Sequence, residues 1–170
     1  MTFKEWLADV KDKGLICERY LPLVDAARSR KQYMDAVLDT NGMAFLCDMS
    51  TCKYKLPYEI ICEEFKAYLN GRYIHTSNKV SGSYTTTMYC GVELPSSISV
   101  NTTLTGLFNC NCQVDIPNNT ICQLYVDNGS NIMVNVPLSS RCYVEVWGDG
   151  VVEFLGDGDI YIEHKDRYNV

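Results

Sequence analysis

Residues Asn131–Gly150 read NIMVNVPLSSRCYVEVWGDG, and the stretch before them, Asn111–Ser130, reads NCQVDIPNNTICQLYVDNGS. Superimposed, they place Val114/Ile116 on Val134/Val136, Pro117 on Pro137, Cys122 on Cys142 and Leu124 on Val144. Alternating apolar residues mark strands with one buried face, and a longer period laid over the alternation marks a stack of like units. The pattern extends upstream into Tyr89–Gly106 and downstream into Val151–His164, adding the pairs Val92/Leu94 and Val152/Phe154. Val100 and Ile160 then align with the two cysteines, and Thr102 and Ile162 with Leu124 and Val144. A proline follows three of the four pairs, at Pro95, Pro117 and Pro137.

Turn clusters at Asn118-Asn119, Asp127-Asn128-Gly129-Ser130, Gly148-Asp149-Gly150 and Gly156-Asp157-Gly158 separate strands of about five residues, the grammar of an all-β domain. Two architectures fit. In a β-solenoid each unit is one coil and equivalent residues stack; in an antiparallel meander or sandwich the Gly/Asn/Asp clusters are hairpin turns. Proline recurring at one point of the unit favours the solenoid, because a meander does not require alternate turns to match.

Residues 1–75 read as helical. Thr2 and Glu5 form a capping box for Phe3–Lys13, with Gly14 as its stop and Trp6, Leu7 and Val10 on one face. A second helix is expected from Pro22 to Asp39, stopped by Asn41-Gly42; Met43–Cys47 reads as a strand or extended link, and Pro57–Leu69 as a third helix. Small polar and β-branched residues over 76–88 predict a linker. The fold class is therefore α+β: a helical attachment subdomain over 1–75, a linker over 76–88 and a β-repeat domain over 89–170.

Charge narrows the partners. The net charge of −6 is uneven: residues 1–80 hold 12 Lys/Arg and 11 Asp/Glu, residues 81–170 only 3 against 10. The repeat half lacks the cations that displace counterions from a phosphate backbone, which argues against nucleic acid. Arg28, Arg30 and Lys31 on the second helix are read as a solvated face paired with Asp25 and Asp35. No stretch approaches the roughly 20 apolar residues of a membrane span. The start, MTFKEWLADVKDKG, has no apolar core of a secretory signal and the nine cysteines are odd in number, so free thiols in a reducing cytoplasm are expected.

Chemistry-bearing residues are sparse. Cys17, Cys47, Cys52 and Cys62 lack the knuckle spacing of a zinc site, Cys110 and Cys112 share one strand face, and Cys122 and Cys142 read as core. His75 and His164 have no nucleophile beside them in sequence. Asp149, Asp157 and Asp159 sit in Gly/Asp turns without the nonapeptide calcium repeat. Glu93, Asp115, Asn135 and Glu153 align, making Glu93/Asp115 the one candidate carboxylate pair for glycoside hydrolysis. The sequence implies no cofactor, no metal and no enzyme. Outward-facing positions remain: Tyr125, Tyr143, Trp147 and Tyr161 form an aromatic ladder, interleaved with Gln123, Glu145 and Glu163, that suits a sugar or a protein partner. Cross-strand packing accounts for the same residues equally well.

A helical N-terminal piece, a neutral-to-acidic stack of Asn/Thr/Ser-rich strands and abundant cysteine resemble small virion proteins of tailed bacteriophages, of the head-fibre, decoration or tail-fibre type. The resemblance covers architecture and composition and carries no motif. It implies a structural or adhesive protein of the virion that docks by its helical half and displays or oligomerises through its β half. The partners it implies are other copies of the chain (a trimer among the forms), capsid or tail proteins, and a host glycan. Alternatives from the residues are an intracellular regulatory module that binds protein or nucleic acid, and a carbohydrate-binding module.

Overall fold

A computed structural model describes residues 2–51, 58–79, 82–127 and 129–165. Among these described residues five helices come first: α1 (Phe3–Asp12), α2 (Leu21–Ala26), α3 (Arg30–Val37), α4 (Thr40–Thr51) and α5 (Tyr58–Phe65). The capping box of α1 forms as the sequence predicts, with Glu5 N–H donating to Thr2 Oγ1 at 3.2 Å and Thr2 N–H to Glu5 Oε2 at 2.6 Å. The expected helix over Pro22–Asp39 is instead two, α2 and α3. Ala27 is extended, and Ser29 starts α3 by accepting from Gln32 N–H, so a local cap outcompetes continuation. Asn41-Gly42, read as a stop, lies in the first turn of α4, where Asp39 Oδ1 accepts from Gly42 N–H at 2.6 Å. Met43–Cys47 is therefore helical, not extended. Of the expected third helix, Tyr58–Phe65 is helical as α5, while Pro57 lies outside the described residues.

The expected linker is mostly strand. β1 (His75–Lys79) pairs antiparallel with β2 (Gly82–Cys90), from His75 opposite Thr86 to Lys79 opposite Gly82. Threonine and tyrosine suit a pleated surface, and the small polar and β-branched residues read as a linker are partly buried there. Eight further strands follow: β3 (Glu93–Ser99), β4 (Leu104–Phe108), β5 (Asn111–Asp115), β6 (Ile121–Val126), β7 (Asn131–Asn135), β8 (Arg141–Trp147), β9 (Val151–Leu155) and β10 (Asp159–Lys165). They alternate between two sheets, one ordered β1-β2-β4-β6-β8-β10 and the other β3-β5-β7-β9. Every pairing after the first hairpin is parallel. The result is a parallel β-solenoid of about four turns behind a helical region, an α+β fold.

Which residues point inward is read correctly from sequence over β5–β10; their alignment between coils is only partly so. Cys122, Cys142 and Ile160 are in register, as are Leu124, Val144 and Ile162. Phe154, however, lies beside Val134 and Val152 beside Ile132, so the last coil is slipped by two from the expected alignment. In the first coil Ile98, not Val92, registers with Val114, and Thr105, not Thr102, with Leu124. The shifts of two in the last coil and of six between Val92 and Ile98 preserve the inward face, so the alternation that reveals strands cannot detect them; the shift of three from Thr102 to Thr105 does not preserve it. Pro117 and Pro137 do follow their strands, whereas Pro95 lies inside β3, where the register shifts.

Corners are held by serine. Ser130 Oγ donates to Asp127 Oδ1 at 2.7 Å, lies 3.1 Å from the Leu107 carbonyl oxygen and accepts from Cys110 N–H at 3.0 Å. Ser140 Oγ stands at the opposite corner, donating to Pro117 C=O at 2.7 Å and accepting from Thr120 N–H at 3.1 Å. The Ser140 hydroxyl thus satisfies two backbone groups of the preceding coil where the ladder is interrupted, and the Ser130 hydroxyl serves the Cys110 N–H and the Asp127 carboxylate.

Two apolar cores result. Inside the solenoid are Ile98, Val114, Ile132, Val134, Leu124, Val144 and their neighbours. The second lies between the helices and the outer face of the six-stranded sheet, joining Phe3, Trp6, Met34, Met43, Leu46 and Phe65 to Met88, Phe108, Tyr125 and Trp147. Gly106 makes this approach possible: a Cβ there would strike the Met43 side chain. Among the described residues no helix is long and apolar enough to cross a membrane.

Candidate functional site

Parallel register turns sequence repeats into surface columns. On the outer face of the six-stranded sheet, Gln123, Tyr143 and Tyr161 form one column; Tyr125, Glu145 and Glu163 form the next; Ile121, Arg141 and Asp159 flank them. The Tyr143 and Tyr161 rings stack, centroids 5.1 Å apart and planes 15° from parallel. The Arg141 guanidinium lies 5.8 Å from the Tyr161 ring centroid and is held by Asp159 at 3.0 Å. Gln123 Nε2 donates to Glu145 Oε1 at 2.9 Å, and Lys165 Nζ lies 2.5 Å from Glu163 Oε1. Between these side chains runs a shallow groove of about 340 Å³.

Glu145 is the perturbed acid of the groove. Burial raises its pKa above the ordinary carboxylate value, with repulsion from Glu163 in the same direction; Lys165 and hydrogen bonds from Gln123 and Tyr125 offset part of the rise. The arrangement offers aromatic rings, an amide and two carboxylates on a rigid sheet. Those groups suit hydroxyl-bearing or cationic ligands.

The four aromatic residues expected to form one exposed ladder divide into two pairs. Tyr143 and Tyr161 are 40 % and 51 % exposed and come together in the groove. Tyr125 and Trp147 also point out of the solenoid but are only 3 % and 1 % exposed, because the helical region packs over them. They are core residues of the helix–sheet interface and do not belong to a surface ladder. Arg141 and Asp159, which steady the edge of the groove, were absent from the expected ladder. Their signal was register: the pair aligns once Cys142 is placed beside Ile160.

Two pairs of cysteines lie inside the solenoid. Cys122 and Cys142 stack inside with sulfurs 3.7 Å apart. The sulfur contact and burial together push the Cys142 thiol far above its usual range, and contact with Cys112 plus burial does the same to Cys110. Neither is available as a thiolate nucleophile. Cys90 is disulfide-bonded, at variance with the expectation that every thiol is free; Cys52 lies outside the described residues. Among the described residues no group of three or more His, Cys, Asp or Glu is placed to hold a metal ion. Glu93 registers with Asn111, and Asp115 with Ser99 and Asn135, so the candidate carboxylate pair is not adjacent.

His75 is drawn into a junction between helix and sheet, its Nδ1 3.3 Å from Asp35 Oδ1, an oxygen that also accepts from Tyr73 Oη. Burial acts to raise the Asp35 pKa, but the Lys31 ammonium at 2.8 Å and the Tyr73 hydroxyl hold it below the ordinary value. Of the basic residues on α3 and before it, Lys31 is thus paired, Arg30 lies 3.8 Å from Glu64, and Arg28 donates to the Asp25 carbonyl. No protein-family model, no curated protein and no solved structure matches the chain.

Proposed function

We propose that the protein is a non-enzymatic structural and adhesive component, and that its place is the virion of a tailed bacteriophage, where the helical half docks and the solenoid displays its free surfaces. One observation carries this reading: the helical region is fused through a shared core to one face of the solenoid, leaving the opposite face and the last coil as rigid, regular surface. Such a body presents ladders to partners without enclosing a reaction. The test is direct. Particles purified from cells that express the chain, analysed by mass spectrometry, should contain it at stoichiometric copy number; its consistent absence from washed particles would end the virion reading.

A carbohydrate-binding role is the second reading, favoured by the groove of Tyr143, Tyr161, Gln123, Glu145 and Glu163. Hydroxyls of a sugar would pair with the amide and carboxylates while its apolar face lies against a tyrosine. A glycan array with the full chain tests it, with Tyr161→Ala expected to lower retention on any bound glycan by about tenfold. Equal retention by wild type and variant would remove the groove as the sugar site.

A further inference from the structure

Among the described residues, no strand covers the solenoid interior at its last coil. Val152, Phe154 and Ile160 are half-buried and Ile162 is 48 % exposed, although their neighbours one coil back, Ile132, Val134, Cys142 and Val144, are buried. All four belong to inward columns that, among the described residues, continue no further. Among the described residues β9 pairs only with β7 and β10 only with β8, so each also presents one open backbone edge.

We propose that this coil is the interface of a two-fold, end-to-end homodimer, in which β9 of each copy pairs antiparallel with β10 of the other. The solenoid's own geometry selects the second copy. A coil is a ramp: β9 and β10 run in opposite directions in facing sheets, and β10 lies half a coil beyond β9. A copy turned about an axis parallel to the strands brings its advanced β10 to the recessed β9, and its recessed β9 to the advanced β10. Both new pairs then sit at the normal strand spacing of about 4.8 Å, leaving no gap in either sheet.

Residues 156–158 turn β9 into β10, with Val136 N–H donating to Leu155 C=O and Asp159 N–H to Ser140 C=O, and in the proposed pairing Leu155 opposes Asp159 of the second copy. Inward, Phe154 meets Ile160 of the second copy and Val152 meets Ile162, twice by symmetry. Outward, Leu155, Glu153 and Val151 meet Asp159, Tyr161 and Glu163 of the second copy, with no like charges opposed. The pairing closes both edges, which open β-sheets otherwise expose to uncontrolled addition.

This inference deepens the assembly reading by naming one partner as the chain itself, and it is tested apart from virion or glycan binding. Light scattering on the full chain should give twice the monomer mass of 19.3 kDa. Ile162→Glu and, separately, Val152→Glu should each weaken the dimer by about 100-fold or more, since a carboxylate would be buried unpaired at the seam. Both side chains already contact solvent in one copy, so circular dichroism of the dissociated variants should match wild type. A monomeric or trimeric wild type, or a dimer indifferent to both substitutions, overturns the proposal. So does a wild-type monomer that dimerises only when residues 166–170 are removed, which would make the C-terminal residues the occupant of the open end.

Discussion

The two outer faces of the solenoid share one backbone plan and have opposite fates. On the four-stranded sheet the outward residues of β5 and β7 are Asn111, Gln113, Asp115, Asn131, Met133 and Asn135, and none is buried. Asp115 Oδ1 accepts from Gln113 at 2.7 Å and from Asn135 at 3.2 Å, so this face satisfies its polar groups laterally. On the six-stranded sheet Met88, Gly106, Phe108, Tyr125 and Trp147 point outward and are buried beneath helices. An amide ladder needs no cover. A ladder of large apolar side chains around one glycine needs a cover and provides a seat for it.

The sharpest way to break this comparison is within the six-stranded sheet itself. Trp147→Ala should cost about 3–5 kcal/mol, because it empties a fully buried site between sheet and helices. Tyr143→Ala, on the same face of β8 but open to water, should cost no more than about 1 kcal/mol. Urea unfolding at neutral pH measures both. Equal costs would mean that the helices do not close over Trp147.

Next in size is Gly106→Ala. The added methyl would collide with the Met43 side chain and lie 2.8 Å from Phe108 Cε2, an overpacking penalty of about 1–3 kcal/mol. Met43→Ala opens the space that Gly106→Ala fills, so the double variant should be more stable than the sum of the single losses predicts. Strict additivity in the cycle would show that α4 does not sit on β4 through this contact.

A smaller effect separates the two corners of one turn. Ser140→Ala strands the Thr120 N–H and the Pro117 carbonyl that its hydroxyl serves, at a cost of about 1–2 kcal/mol. Ser139→Ala removes an exposed contact from Asn119 N–H at 3.1 Å, which water replaces, and should be nearly silent. Amide hydrogen exchange at Thr120 should speed up in the first variant only.

Legibility from sequence follows the same division. Strand alternation and the twenty-residue recurrence of Cys122 and Cys142 identify a stack and its inward face, because both are local consequences of a pleated backbone. Register in the first coil was illegible, since Ile98 and Val92 both satisfy the alternation and only the irregular β3 decides between them. The break between α2 and α3 was signalled by Ser29, a strong N-cap inside an apparently continuous helix. Nothing in the repeat itself told Trp147 from Tyr143: both are outward aromatics, and the difference comes from α4, whose helical Met43–Cys47 had been read as extended. The groove was half legible for the same reason: Tyr143 and Tyr161 of the expected ladder lie in it, while Tyr125 and Trp147 lie under an unforeseen cover.

Glu145 stands at that boundary, between the covered Tyr125 and the open Tyr161, and tests how far burial reaches. Its folded pKa is raised, chiefly by desolvation, over the ordinary value it regains on unfolding. Between those two values the folded chain binds the extra proton, so stability falls as pH rises through that window and stays reduced above it. Glu145→Gln removes the ionisable group while leaving a carbonyl to accept from Gln123. The variant should melt about 1–3 °C higher than wild type at pH 7 and show little difference below about pH 3, where the carboxyl is protonated in both states. A gain equal at both pH values would assign the effect to packing. A loss at pH 7 would mean that the ionised form is stabilised by Lys165 and its neighbours more than burial disfavours it, and that the cover ends before Glu145.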